Sequence, residues 1–433
     1  MIPVILAATL SSQHGAAGAA EFRATPETYI AIVRALQPGD RLLLEPGDYE
    51  TGLPVHSLHG TRERPIRIGA LDPQRRPRFL GRTGHNTVSI VDSAHIELAD
   101  LDLDGRNTAV DAVKAEGHAR YAHHITLRNL HITGHGVDQQ IVAISTKCPA
   151  WGWVIRDNLI VGAGTGMYLG NSDGSAPFVA GLIEGNVIRD SIGYNVQIKH
   201  QRPRPALPGM PLGKSMTIIR HNVFMKGAGS ATDKLARPNL LVGHFPPSGP
   251  GAEDTYVVYG NYFFGNPTEA LFQGEGNLAL YNNVLVNPDG AAIVVQPHNA
   301  LPEAVDVFSN TVLARGDGIR VAGGNPARLQ RVRANVVFAD RPIDAPDQRD
   351  NVVGAWSDAG AVLRAPHAAG DDLDLRPRPG ALPTLPADAL PGLDLPEVNV
   401  DYDARPRGRF IAGAFAESAG PSAPLRVPRR TDR

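Results

Sequence analysis

A single cysteine, Cys148, in 433 residues excludes an intramolecular disulfide framework. It reads as a small buried hydrophobe rather than a nucleophile, and no Cys/His cluster has zinc-ligand spacing. Long apolar runs are missing too, and nothing approaches the ~20 residues of a membrane span. The exception in kind is the short run from Ile2 to Leu10, followed by Ala16, Gly18, Ala19 and Ala20 but preceded by no positive residue. We read residues 1–20 as a degenerate or truncated signal peptide, which makes a secreted or periplasmic protein the expectation. Charge of one sign is also missing. A formal net charge of −2 supplies no long-range field for nucleic acid or an anionic membrane, so an anion site must be a local patch.

What is present is turn chemistry and repetition. Glycine (46) and proline (36) are abundant, and apolar residues fall in short clusters, a pattern of many short strands joined by turns. The length would suggest two or three domains, but solenoids grow by stacking and escape that count. One motif, apolar-x-x-Asn-apolar-x-apolar, recurs at Asn129, Asn158, Asn186, Asn222, Asn261, Asn283, Asn310 and Asn335. The spacings are 29, 28, 36, 39, 22, 27 and 25 residues, and Asp100 stands 29 before the first. About that length makes one solenoid coil. The Asn reads as a turn residue that tolerates the left-handed conformation and bonds its equivalent one coil away. A second apolar pair follows each turn, as in Met167/Leu169, Val196/Ile198, Leu240/Val242, Ile293/Val295 and Ile319/Val321, so each coil has strands on at least two faces.

The expected fold is therefore all-β: a single-stranded right-handed parallel β-helix with an N-terminal capping helix. That helix opens at Thr25-Pro26-Glu27, an N-cap with proline at the first helical position, and reaches about Leu36. Residues 21–345 are assigned to the β-helix and 346–417 to a closing segment containing Asp401-Tyr402-Asp403, Arg407, Ile411 and Gly413-Ala414-Phe415. Residues 418–433 are expected to be a disordered tail.

Two adjacent coils are longer than the rest, and the excess lies in residues 201–214 and 227–254. Equivalent loops of neighbouring coils lie side by side, so the two insertions are expected to wall one groove. Lysine usage points to the same region. Of 42 basic residues only six are lysines, and Lys199, Lys214, Lys226 and Lys234 fall within 36 positions. Arg202, Arg204, Arg220 and Arg237 join them, with His200, His221 and His244, a cationic patch suited to a polyanion. Aligning Met167-Tyr168-Leu169-Gly170, Val196-Gln197-Ile198-Lys199 and Leu240-Leu241-Val242-Gly243 sends Gln197 and Lys199 outward. Gly170 and Gly243 lie above and below Lys199, leaving room for a sugar ring.

Gln197-Ile198-Lys199-His200, Ile219-Arg220-His221-Asn222, Leu240-Leu241-Val242-Gly243-His244 and Gly260-Asn261 follow in an order similar to the chondroitinase B and alginate lyase family of polysaccharide lyases. The series Pro38-Gly39-Asp40, Glu45-Pro46-Gly47-Asp48-Tyr49 and Pro65-Ile66-Arg67-Ile68 resembles the entry of the broader pectate-lyase-like class. The resemblance implies a β-helix acting on an acidic, uronate-containing polysaccharide by β-elimination. It also implies calcium, although Gly243 stands where the family has arginine, and Tyr194 and Asn195 stand where its acidic residues would precede the lysine. The residues themselves fix no cofactor and no metal ligand.

β-Elimination needs a base, a neutraliser of the uronate carboxylate and a proton donor. Lys199 is assigned as base, Arg220, Arg202 or Arg204 as the carboxylate partner, and His200 or His244 as donor. Tyr168, Gln197, Lys214, Lys234 and Arg237 complete the substrate-binding set. A monomer with no nucleic-acid partner is expected. Three other readings use the same face: a uronate C5-epimerase, a glycoside hydrolase, and a non-catalytic glycan-binding solenoid. The paired Asp signatures of the hydrolase are absent from the repeats.

Overall fold

A computed structural model describes residues 19–386, 388–390, 392 and 394–417. The expected signal peptide therefore lies outside the described residues except for Ala19 and Ala20, and so does the tail. Within them the apolar alternation becomes a stack of short parallel strands. One coil shows the unit: strand Leu182–Glu184, a turn into strand Val187–Arg189, and a longer bend into strand Val196–Ile198. Each strand pairs in parallel with its equivalent in the coils before and after. The chain thus winds three parallel sheets around one core, a parallel β-helix.

Period-two alternation sends one side chain in three-residue strands reliably inward, and register stacks these into interior columns. In the first sheet the column is Ile155, Ile183, Ile219, Val258, Leu280, Val307 and Val332. The second sheet stacks Ile132, Ile160, Ile188, Phe224, Phe263, Leu285, Val312 and Val337. The third stacks Val113, Ile144, Met167, Val196, Leu240, Phe272, Ile293 and Ile319. All of these side chains are buried.

The turn between the first and second sheets carries the asparagine ladder. Asn158, Asn186, Asn222, Asn261, Asn283, Asn310 and Asn335 each donate a carboxamide hydrogen bond of 2.8–3.0 Å to the next, ending on Asn351. The left-handed residue is not the ladder Asn but the one before it, at Asp157, Gly185, His221, Gly260, Asn282, Ser309, Ala334 and Asp350. That bend turns the following carboxamide into the interior. Asn129 falls on the left-handed position (φ 53°), not in the ladder column, where Leu130 takes its place; its side chain bonds Asp100 at 2.6 Å instead. The parallel stacking runs on to strand Val352–Gly354.

The N-terminal helix is shorter than its motif suggests, Tyr29–Val33 with Thr28 at the N-cap. Residues 26–28 form a turn held by the Thr25 carbonyl, and the chain after Arg34 tightens into i→i+3 bonds before Pro38. Tyr29, Val33 and Leu36 close the end of the core, with the Tyr29 ring edge-on to Tyr49 and Phe79. The closing segment packs along the outside of the coils. Leu363, Leu373, Leu375, Leu382, Ile411 and Phe415 pack on the outward residues of the second sheet, Val223, Tyr262, Val284 and Leu313 among them. Leu390, Leu395 and Val398 cover the outward stack Tyr259, Tyr281 and Phe308 of the first sheet. Two of the three sheet faces are thereby covered over the later coils.

Candidate functional site on the third sheet

The outward column of the third sheet reads Lys114, Ser145, Tyr168, Gln197 and Leu241 in register. Two residues further along, just past each strand, the chain carries Lys147, Gly170, Lys199 and Gly243. Successive bonds mark this second column: Gly170 N–H donates to Thr146 Oγ1 (2.7 Å), Lys199 N–H to the Leu169 carbonyl (2.8 Å) and Gly243 N–H to the Ile198 carbonyl (2.9 Å). Tyr168 therefore lies between two lysines. Lys147 Nζ sits 3.2 Å from the centre of its ring and Lys199 Nζ 5.8 Å from it, while the phenol oxygen meets Ser172 Oγ at 3.1 Å.

Lys147, Tyr168, Ser172 and Lys199 line a cleft of about 520 Å³. Its walls include Asp111, Lys114, Gln139, Tyr194, Gln197 and Arg237. Four cationic side chains, Lys114, Lys147, Lys199 and Arg237, face a single carboxylate, Asp111. That carboxylate is held by Lys114 (3.2 Å) and by the Val142 N–H (2.9 Å). The surplus positive charge is local, on a chain of near-neutral net charge. Burial, opposed by Asp111 but reinforced by Lys114 and Lys199, pushes Lys147 down to about 8. Burial also lowers Lys199 from the ordinary lysine range. Among the described residues Asp111 is the only carboxylate lining the cleft, and this donor set does not fit calcium, which takes about six to eight oxygen ligands.

Of the residues singled out in the sequence, Tyr168, Gln197, Lys199 and Arg237 are brought together here. His200 and His244 stack on each other at 5.1 Å, around the corner from the cleft. Burial first, then His244 and Lys199, lower His200, and His244 Nδ1 is bonded to the Phe245 carbonyl at 3.0 Å. Neither lines the cleft. Arg220 belongs to the first sheet, on another face, where Glu184 and Glu397 each hold it at 2.7 Å and Tyr259 Oη at 2.8 Å; it ties the closing segment to the coil rather than facing the cleft.

Arg202 is exposed and lies 3.8 Å from Asp173. Arg204 has a fully buried side chain paired with Asp254 and bonded to the Pro211 carbonyl, a staple between the two insertions. Burial lowers it to about 10. Lys214 lines a separate cleft with Glu253, Asp306 and Arg328, and Lys234 is exposed on the short turn Asp233–Leu235.

The two insertions do not wall one groove. The second is divided by strand Leu240–Val242, and only its first part reaches the cleft, where the Leu235 carbonyl accepts from Gln139 Nε2 at 2.7 Å. Its second part packs on residues 201–214 at the opposite edge of the sheet, where Gln201 N–H bonds the His244 carbonyl. Nor do the glycines beside Lys199 leave room for a sugar. A Cβ on Gly243 would stand 2.4 Å from the His200 nitrogen, and one on Gly170 3.2 Å from Lys199 Cβ. They permit close approach of coils and fix the lysine backbone.

Lys147, absent from the sequence assignment, is the principal addition. Its strand, Val142–Thr146, ends in a buried threonine instead of a second aliphatic residue, which hides it from a search for apolar pairs. Thr146 is tolerated inside because its hydroxyl is satisfied by Gly170.

No family model matches the chain, and no curated protein does. Among solved structures it is similar to an alginate lyase from Paenibacillus sp. str. FPU-7, with 16% identity over 72% of this chain and 98% of the other and a TM-score of 0.49. It is also similar to a lacto-N-biosidase from Eubacterium ramulus (13% identity, 78% and 68% covered, TM-score 0.49) and to pectate lyase Pel9A (11%, 92% and 96%, TM-score 0.46).

Proposed function

We propose that this protein is a secreted polysaccharide lyase that cleaves a uronate-containing polysaccharide by β-elimination in the third-sheet cleft. The observation that carries the reading is Tyr168 held between Lys147 and Lys199 in a cleft with surplus positive charge. Lys147 lies over the tyrosine face, a position that favours its ammonium form, and at about 8 it remains largely charged at neutral pH. It is assigned to the uronate carboxylate, whose negative charge grows as the C5 proton leaves.

Lys199, farther from the ring and also lowered by burial, is assigned, in its neutral form, as the base that takes that proton. The electron pair forms the C4–C5 double bond, the bond from C4 to the glycosidic oxygen breaks, and the Tyr168 hydroxyl supplies the proton to the leaving oxygen. Tyr168 thus takes the role first given to His200 or His244, and Lys147 that given to Arg202, Arg204 or Arg220. Inverting or retaining hydrolysis calls for two carboxyl groups flanking the bond, and the cleft has one.

The test is a panel of uronate polymers, among them alginate, pectate and a glycosaminoglycan, followed by ultraviolet absorbance of the unsaturated product. A steady rise with at least one polymer supports the proposal. Cleavage without that chromophore, altered C5 stereochemistry without cleavage, or binding alone would each overturn it.

A further inference from the structure

Three histidines meet on the outer side of the first sheet, away from the cleft. His95 lies in strand Ser93–Ala99, and His123 and His124 lie in strand Ala122–Arg128 of the next coil. The two strands are in register, Ala94 opposite His123 and Ile96 opposite Ile125, so His95 and His124 occupy equivalent positions. Both have left-handed backbones, φ 55° and 52°. That conformation is uncommon for a residue that is not glycine, and it lifts each ring out of the strand alternation on the same side.

The His95 and His124 rings stack at 4.4 Å, and the His123 and His124 Nδ1 atoms are 2.8 Å apart. The ligand atoms of all three lie within 4.8 Å of one another. Two surroundings make the cluster a shaped site. His123 is backed by the Trp151 ring, parallel at 4.3 Å. In the following coil the equivalent position is Gly152, where a Cβ would stand 2.9 Å from the His124 ring, so only glycine leaves that ring its place. Among the described residues this is the only group of three or more His, Cys, Asp or Glu side chains whose ligand atoms converge in this way.

We infer that His95, His123 and His124 form a binding site for a divalent late first-row transition ion such as zinc, with the fourth position open to solvent on the exposed His124 side. Imidazole nitrogen is the preferred donor of such ions, whereas calcium and magnesium require oxygen. Metal–nitrogen bonds of about 2.0–2.1 Å in a tetrahedron place two donor atoms ~3.4 Å apart. The 2.8 Å between the His123 and His124 Nδ1 atoms and the 4.8 Å that bounds the set lie on either side of that value.

Metal-free protein, prepared by dialysis against a chelator, is titrated with Zn(II) by calorimetry and with Co(II) by visible absorption. One equivalent of Zn(II), and Co(II) bands of low coordination number, are expected. His95→Asn and His124→Asn are suitable variants because asparagine accepts the left-handed backbone, so the metal-free thermal midpoint should hold while Zn(II) affinity falls at least about tenfold in each. Independently of any substitution, bound Co(II) should broaden the ring resonances of His95, His123, His124 and Trp151 together. No stoichiometric binding, affinity unchanged in both variants, or broadening centred on other histidines would overturn the assignment.

Discussion

Replacement of Asn261 by alanine probes the device that holds successive coils at one pitch. The side chain is wholly buried. Its Oδ1 accepts from the backbone N–H of Asn222 at 3.0 Å and from Asn222 Nδ2 at 2.9 Å, and its Nδ2 donates to the Ile219 and Tyr259 carbonyls and to Asn283 Oδ1. Some of these partners keep other bonds. Asn222 Nδ2 retains the Ile183 and Arg220 carbonyls, Asn283 Oδ1 retains the Asn261 N–H, and the Tyr259 carbonyl retains the His221 N–H.

The Asn222 N–H has no such alternative. One buried donor left without a partner costs about 1–3 kcal/mol, and the lost Ile219 bond and the small cavity bring the expected loss to about 2–4 kcal/mol. Asn351→Ala is the internal control, since it ends the ladder on a half-buried residue that water can reach. Its cost should be smaller. Urea unfolding followed by far-ultraviolet circular dichroism measures both. An Asn261→Ala loss no larger than that of Asn351→Ala would refute the claim that the ladder contributes through satisfaction of buried groups.

Lys199→Ala and Tyr168→Phe should each reduce the elimination rate by about 10²- to 10⁴-fold with the thermal midpoint preserved, and full activity in either would remove that residue from the mechanism. The rate of the wild type should pass through a maximum with pH, because Lys199 must be neutral while Lys147, lowered to about 8, must be charged, and both limbs should lie below the ordinary lysine range; a limb at the free lysine value would contradict the assignment. Gly243→Ala should impair activity through the backbone of Lys199 and His200, which its Cβ would strike, and a kinetically normal variant would show that this close approach is dispensable.

Lys226, buried and bonded to the Arg237 carbonyl at 2.7 Å, is lowered to about 8, so between that pH and about 10.5 the unfolded chain binds more protons than the folded one and stability rises with pH. Urea midpoints should show Lys226→Met with a flatter pH dependence there; an unchanged slope would contradict the buried placement.

How much of this was legible depends on whether the signal is local. The asparagine repeat and the apolar pairs determined the parallel β-helix by themselves, because stacking requires the same few residues in every coil and repetition exposes them. They also placed Lys199 and Gln197 on an outward face, since strand alternation is a property of the chain alone. Which residue of each turn takes the left-handed conformation was read one position late. The asparagine side chain signals the turn strongly, but the backbone reversal falls on its neighbour, whether that is Gly185, His221 or Ala334.

The partners of Lys199 were decided by tertiary register. Lys147 comes beside Tyr168 only because two coils stack with Thr146 opposite Leu169, and Arg220 is carried to the first sheet by residues 201–215, which separate it from Lys199. The same holds for His95 and His124, one coil apart in sequence and stacked in space, which no local zinc-ligand spacing describes. Composition could show that cationic side chains gather in one region of the chain. Whether they face a cleft, a buried carboxylate or the closing segment follows from the angle at each corner of the coil. That angle is set by long-range packing, which a single stretch of sequence does not contain.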